Sequence, residues 1–317
     1  MSSTLRDRYT VRPANDGDLD AVVRLVADSD AACGLPADPP QDFLTWIWHL
    51  AATQMHRDTK VVMHEGAIAA YGHAVWRVAE GGPLDLYARV HPDHLGEGVG
   101  AWFVAWAEAL AEERGAEGIR VEVADRDEAA HELLRSRGYV QVRTSFTMLK
   151  GLGPDEIAAP APPGIAIRGY EDEDERVLYE VDQASFAGHW GFRPTSFENF
   201  NEMLHGEDWD PTLVFFAEEG GVVVGFTVSF SFAEGGYVAM LGVLEAWRGR
   251  GIAKALLRRA FDELANRGQH EVKLGVDASN PHGAVALYKG VGMTVFRRYD
   301  SFDLSTPEAR NSPGPGA

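Results

Sequence analysis

Short apolar runs alternate along this chain with turn residues and longer amphipathic runs, and the same order of runs occurs twice. Runs of β-branched and aromatic residues predict strands, whereas apolar positions three or four residues apart predict helices. In the second half, three predicted strands are joined by two turns that each contain Glu-Gly-Gly, which is typical of hairpins. The pattern therefore predicts an α/β fold, with a mixed α+β sheet covered by helices.

The two halves give matching sets of elements. In the second half we predict strands at 166–168, 213–218, 222–232, 237–244 and 272–276, helices at 173–186, 251–267 and 283–289, and one bent or two short strands at 293–304. In the first half we predict strands at 9–12, 60–64, 67–78, 84–90 and 119–123, and helices at 18–27, 98–114 and 128–135. Equivalent positions lie about 150 residues apart, which indicates a duplicated domain and not a solenoid repeat.

A segment rich in Pro, Gly and Ala separates the halves and has neither helix nor strand periodicity. We therefore expect a domain at 1–150, a semi-rigid linker at 151–164, a second domain at 165–305 and a disordered tail at 306–317. A chain of 317 residues is long enough for two cores.

Composition narrows the class of partner. The net charge of −19 and the pI near 4.9 argue against nucleic acid, which requires a basic footprint. No apolar run reaches the length of a membrane span, and the first residues do not resemble a signal peptide. Cys33 is the sole cysteine, so no intrachain disulfide is possible. We expect a cytoplasmic protein without nucleic-acid or membrane partners and without a metal.

A glycine-rich loop carries the candidate chemistry. The sequence Arg248-Gly249-Arg250-Gly251-Ile252-Ala253 lies between a predicted strand and a predicted helix, and Lys254, Arg258 and Arg259 follow it. Glycines let backbone N–H groups turn toward an anion, and the helix N-terminus adds a partial positive charge. The loop therefore favours a pyrophosphate ligand. It matches neither a Walker loop nor a dinucleotide fingerprint, because the expected spacing or the preceding βαβ unit is missing.

Two motifs in this half resemble the GCN5-related N-acetyltransferases. The loop resembles the family's R/Q-x-x-G-x-G/A, and residues 274–293 resemble its L-x-V-x-x-x-N…A-x-x-L-Y-x-x-x-G-F. They occur in the family's order and spacing. The resemblance covers 165–304 and is visible, more weakly, over 8–149. It implies two tandem acyl-CoA N-acyltransferase domains of this family, arranged like the tandem enzymes of the mycothiol synthase type, whose C-terminal half is catalytic.

The resemblance also assigns roles to individual residues. It implies that acetyl-CoA, as cosubstrate, lies between the strands at 237–244 and 272–276. The implied cofactor-binding residues are Leu241, Gly242, Val243, Arg248, Gly249, Arg250, Gly251, Ile252, Ala253, Lys254, Asn280 and Tyr288. Tyr288 matches the family's general acid, because a phenol can protonate a departing thiolate. The alternative for Tyr288 is an aromatic that only packs on an amphipathic helix.

The general base is less defined by the sequence. The family often places a Glu on the strand before the loop, but residues 237–243 contain no carboxylate. Glu234 precedes that strand and is our first candidate; an ordinary turn residue is the alternative. Asp182 and Asp277 are elsewhere in the sequence. His189, Trp190 and Phe192 lie where the family binds its acceptor, and His189 is a second possible base.

The first half lacks these chemical groups at the equivalent positions. Arg248 corresponds to Leu95, Arg250 to Glu97, Asn280 to Arg126 and Tyr288 to Leu134. We therefore expect the first domain to be non-catalytic. The predicted function is transfer of an acetyl group from acetyl-CoA to a primary amine of a small molecule by direct attack, in a monomer or homodimer. The alternatives are an acyl-CoA-binding or sensing protein, and an acetyltransferase acting on a peptide or protein amine.

Overall fold

The computed structural model describes residues 3–38, 41–49, 53–76, 82–153, 160–206 and 208–306. The chain forms two compact units. Unit 1 comprises Met1–Ser145 and Arg297–Ala317, and unit 2 comprises Phe146–Phe296.

Unit 1 is a mixed sheet with helices on it. Its strands are β1 (Thr10–Arg12), β2 (Thr59–His64), β3 (Ala67–Val75), β4 (Leu84–Val90), β5 (Gly118–Ala124), the first part of β6 (Val140–Gly151) and the last part of β12 (Thr294–Ser305). Its helices are α1 (Ser3–Arg8), α2 (Leu19–Ala32), α3 (Gln41–His49), α4 (Met55–Asp58), α5 (Val99–Arg114) and α6 (Glu128–Ser136). The strands follow the order β1-β2-β3-β4-β5-β12-β6.

Unit 2 repeats this plan. Its own strands are β7 (Ala166–Gly169), β8 (Val214–Glu219), β9 (Val222–Phe232), β10 (Gly235–Val243) and β11 (Glu271–Asp277). Its helices are α7 (Glu175–Phe186), α8 (Phe197–Leu204), α9 (Ile252–Asn266) and α10 (Ala284–Gly290). With the remaining parts of β6 and β12, the strand order is β12-β6-β11-β10-β9-β8-β7.

Helices cover both faces of the unit 2 sheet. On one face α9 buries Leu257, Phe261 and Leu264 against strand residues such as Val272. On the other face α7 and α8 pack on β8 and β9, and Leu178 lies in that second cluster. The apolar positions of α9 recur every three or four residues, which is why this helix lies along the sheet.

An Arg–Asp ion pair lies near the start of each repeat, and the two pairs allow the repeats to be aligned. Arg12 binds Asp18 at 2.6 Å in unit 1, and Arg168 binds Asp174 at 2.5 Å in unit 2. In both, the same carboxylate also accepts from the backbone N–H three residues before it. The two pairs are equivalent positions, so α2 and α7 can be compared residue by residue.

The predicted fold class and the repeated order of elements are confirmed. Residues 293–304 form one strand, β12, whereas β6, α3 and α8 were not predicted. The units differ from the continuous domains expected at 1–150 and 165–305, because β6 and β12 each contribute residues to both units. Residues 154–159 of the linker and 307–317 of the tail lie outside the described residues.

Candidate acyl-transfer site

The glycine loop of unit 2 has the backbone of an anion site. Gly249 and Gly251 adopt φ values of +77° and +84°, which side chains other than hydrogen disfavour. Gly251 is the N-cap of α9, and the N–H groups of the first turn have no partner within the helix. These donors and the helix dipole point out of the same end, so the loop fits a pyrophosphate.

The arginine side chains of the loop are engaged within the protein. Arg248 donates from Nε to the Val243 carbonyl at 3.0 Å and from Nη2 to the Ser185 carbonyl at 2.9 Å. Arg250 binds Glu219 at 2.5 Å, and this pair lowers the pKa of Glu219 to about 2. Among the described residues, Lys254 is exposed and forms no ion pair. The donors that the loop offers to an anion are therefore mainly backbone N–H groups, with the exposed charge of Lys254 beside them.

β10 and β11 separate beyond their first residues. They pair in parallel only at Gly236 with Val272 and at Tyr237 with Lys273. β10 continues to pair with β9 as far as Val243, with a bulge between Val238 and Met240. The gap between the diverging strands, bordered by Leu241, Gly242 and Val243, is called the wedge below. An open strand edge of this kind can accept an extended chain as an added strand.

Tyr288 lies on α10 beside this gap. Its side chain is 9% exposed and packs with Leu274 and Val276 of β11. Burial, and secondarily the nearby phenol of Tyr237, raises the pKa of Tyr288 to about 12. Its hydroxyl has no hydrogen-bond partner among the described residues. Tyr288 therefore holds its proton at neutral pH and has a free hydroxyl with which to donate it.

Asn280 shapes the turn that leads into α10. Its Oδ1 accepts from the backbone N–H of His282 at 2.9 Å, and its own N–H donates to the Asp277 carbonyl at 3.1 Å. Its amide nitrogen has no partner in the described part of the chain. Asn280 thus orders this turn, and the two N–H groups of its side-chain amide remain available as donors.

His189 lies near the loop, beside a histidine that the sequence did not reveal. His189 stacks on His282 with ring centroids 5.3 Å apart, and the His282 ring lies 3.2 Å from Arg248 Nη1. Burial, then the charges of His282 and Arg248, lowers the pKa of His189. Trp190 is 48% exposed, and Phe192 donates its backbone N–H to the His189 carbonyl. His282, two residues after Asn280, was the residue missed.

Glu234 lies away from these groups. It occupies the turn between β9 and β10, whereas the glycine loop follows the other end of β10. A nine-residue strand spans roughly 27 Å. This placement does not favour Glu234 as a base at the wedge.

The glycine loop of unit 1 has the same backbone conformation as that of unit 2, but its side-chain contacts differ. Gly96 and Gly98 have φ values of +75° and +87°, close to those in unit 2. The carboxylate of Glu97 is bound by Arg8 at 2.8 Å and by the Tyr9 hydroxyl. A loop that carries a carboxylate in place of Arg250 is a poorer anion site.

The gap between β4 and β5 of unit 1 ends in a buried ion network. The strands pair in parallel only from Leu84 to Leu86. Asp30 of α2 then binds Arg89 of β4 at 3.1 Å and Arg297 of β12 at 2.7 Å. Because β5 lies between β4 and β12, this network closes the space beyond the end of β5.

The described residues show neither a metal centre nor a membrane span. No three His, Cys, Asp or Glu side chains in them are grouped to hold a metal ion. None of the helices described has the length and apolar content needed to cross a bilayer.

The comparisons with known proteins agree with this architecture. The chain matches the Acetyltransferase (GNAT) family over residues 24–139 and again over 176–293. A mycothiol acetyltransferase of Streptomyces griseus subsp. griseus is 28% identical over 92% of this chain and 93% of its own length. One from Streptomyces bingchenggensis is 32% identical over 65% of this chain and 68% of its own.

Solved structures give the same result. A GCN5-related N-acetyltransferase from Sphaerobacter thermophilus superposes with a TM-score of 0.83 at 31% identity, covering 94% of this chain and 96% of that one. A tandem GNAT protein from the clavulanic acid biosynthesis pathway shares the fold, with a TM-score of 0.73 at 17% identity over 98% and 100% of the two chains. The chain belongs to the GNAT family of acetyltransferases, which it matches once in each half.

Proposed function

We propose that unit 2 transfers the acetyl group of acetyl-CoA to a primary amine of a small molecule, and that unit 1 is non-catalytic. The observation that carries the proposal is the combination, in unit 2, of the wedge, the glycine loop and Tyr288. Unit 1 has Leu134 where Tyr288 stands and an ion network at the end of its gap. The mycothiol acetyltransferases among its relatives support a small-molecule acceptor.

The chemistry follows from these positions. The pantetheine arm lies along the open edge of β10, and the pyrophosphate binds the N–H groups at the start of α9. The amine attacks the thioester carbonyl carbon directly, and the C–S bond breaks. Tyr288 donates its proton to the departing thiolate, and a proton from the new amide nitrogen restores the phenol. A single cysteine accords with a reducing, cytoplasmic setting.

Replacing Tyr288 by Phe tests this assignment. Phe keeps the packing on β11 but removes the proton donor, so kcat should fall about 100-fold or more while the Kd for acetyl-CoA stays within about twofold. The measurement is thiol release from acetyl-CoA across a panel of small amines, with binding followed by calorimetry. Tyr179→Phe is the matched control, because its hydroxyl donates to the Thr195 carbonyl outside the wedge.

Three outcomes would contradict the proposal. Acetyl-CoA binding without turnover on any small amine would favour a sensor. Turnover confined to peptide amines would show that the acceptor is a peptide or protein and not a small molecule. An unchanged kcat in Tyr288→Phe would remove Tyr288 from the mechanism.

A further inference from the structure

The buried face of α7 carries two polar side chains that lack sufficient partners. Its buried residues are Leu178, Val181, Asp182 and Ser185. The Ser185 hydroxyl is buried without a hydrogen-bond partner, and the residue is 2% exposed. Asp182 is 8% exposed, and in the described part of the chain it accepts one hydrogen bond, from Gln183 Nε2 at 2.9 Å. A buried carboxylate with so little compensation is costly to the fold, so a stabilising role does not explain it.

This face of α7 rests on the strand that borders the wedge. A Cβ placed on Gly242 would come within 3.0 Å of Ser185 Oγ, so Ser185 lies directly on β10. Arg248 of the glycine loop donates to the carbonyl of the same serine. Asp182 lies one helical turn before Ser185 on the same face, with the two Cβ atoms about 5–6 Å apart. The carboxylate therefore lies close to the strand along which the acyl-CoA is proposed to bind.

No cation faces Asp182 from the sheet. α7 packs on β9, β10 and α8, and neither strand contains a charged residue. The titratable or charged side chains of these elements and of the end of α7 are Glu175, Arg176, Tyr179, Glu180, His189, Glu198, Glu202, Tyr237 and Arg248. Burial raises the pKa of Asp182 to about 6, opposed by the hydrogen bond from Gln183. Asp182 is thus an anion at neutral pH for which the described residues supply no counter-ion.

Unit 1 shows that the fold does not need a carboxylate at this position. With Asp18 and Asp174 as equivalent residues, Asp182 corresponds to Val26 of α2. Val26 is 1% exposed and packs in the core of unit 1. The same helix position is therefore apolar in the unit that lacks Tyr288 and acidic in the unit that has it.

We propose that Asp182 binds the ammonium group of the acceptor and takes its first proton. This rests on the proposed function and names the group that selects a cationic amine. The ammonium gives one proton to the Asp182 carboxylate, and the free amine attacks the thioester carbon. The C–S bond breaks, the thiolate takes the Tyr288 proton, and the second nitrogen proton returns to Tyr288. Asp182 then releases its proton to solvent, so that one proton is produced for each acetyl group transferred.

The test compares Asp182→Asn with wild type on two classes of acceptor. For an alkyl amine charged at pH 7.5, kcat/KM should fall about 100-fold or more, while the KM for acetyl-CoA changes less than about twofold. For an amine that is uncharged at pH 7.5 the ratio of wild type to variant should approach one, because no ammonium has to be bound. Glu180→Gln, an exposed position on the same helix, is the matched control and should behave as wild type.

The pH profile separates Asp182 from His189. In wild type, kcat/KM for the alkyl amine should fall as the pH drops below about 6, and Asp182→Asn should lose this limb while His189→Gln keeps it. A limb lost only in His189→Gln, or equal loss on charged and uncharged amines, would overturn the proposal. Wild type that turns over no amine at all would instead defeat the proposed function.

Discussion

At the scale of single residues, Asp182 carries a cost in stability that a functional anion explains. Its pKa of about 6 lies above the ordinary value of 3.8, so the folded state binds the proton more tightly than the unfolded chain. Below about pH 4 the group is protonated in both states and costs the fold nothing, and the penalty on folding grows as the pH rises to 6. Above that the penalty is constant, at about 3 kcal/mol for a shift of about two pKa units.

Asp182→Asn should consequently stabilise the protein at high pH. Because Asn cannot ionise, the gain in the free energy of unfolding over wild type should be about 2 kcal/mol larger at pH 8 than at pH 4.5. Urea unfolding at the two pH values measures it, and Glu180→Gln should give no such difference. An equal effect of Asp182→Asn at both pH values would mean that the carboxylate is not buried as an anion.

Residues were predictable from sequence where a motif fixes the backbone around them. The loop glycines and Asn280 have the local conformations that their motifs predict, because the loop and the turn after β11 are formed by neighbouring residues. Asp182 and His282 required the structure, since one depends on which face of α7 meets β10 and the other on a contact with Arg248. The charge of Arg248 predicts a phosphate contact, and the structure adds that two of its N–H groups donate to carbonyls of the protein.

At the scale of elements, the two glycine loops allow the same substitution to be compared in both units of one chain. Gly251 and Gly98 are the N-caps of α9 and α5 and have φ values of +84° and +87°. An Ala at either position should cost roughly 1–2 kcal/mol in unfolding free energy, because the left-handed region is unfavourable for a residue with Cβ. Only Gly251→Ala should also raise the KM for acetyl-CoA, by about tenfold, since a distorted loop misdirects its N–H groups.

The comparison is read by steady-state kinetics beside thermal unfolding of both variants. A KM that rises equally in Gly98→Ala would show that unit 1 contributes to acyl-CoA binding. Equal losses of stability with the KM raised in Gly251→Ala alone would separate the binding role of the loop from its structural cost.

Elements whose pattern is strong locally were predicted well, and those that depend on partners were not. The three-strand meander and α9 have clear periodicity and turns, so their bounds differ by a few residues at most. β6 was missed although Val140, Val142 and Phe146 alternate with polar residues. Its exposed valines and its place after the helix of the first repeat gave no apolar run to mark it.

At the scale of the whole molecule, the duplication was readable from sequence but the division of the chain was not. Proline and glycine at 151–164 mark a break in periodicity, and a break says nothing about which sheet a strand joins. β12 pairs with β5 from Tyr299 to Ser305, so the end of the chain completes unit 1. Strand pairing over more than 170 residues is a tertiary property that no local pattern encodes.

The contribution of β12 to unit 1 bears on how many acyl-CoA molecules one chain binds. The segment that joins unit 1 supplies Arg297, 5% exposed in its side chain, to the Asp30 and Arg89 network that closes the gap between β4 and β5. Opening that gap would leave buried charges without partners, at a cost of several kcal/mol. We therefore expect calorimetric titration with acetyl-CoA to give one site per chain.

The double substitution Lys254→Glu with Arg258→Glu should weaken acetyl-CoA binding at that site about tenfold or more. Glu97→Ala, in the equivalent loop of unit 1, should leave stoichiometry and affinity unchanged. Two sites per chain would show that the network yields to the ligand and that unit 1 still binds acyl-CoA.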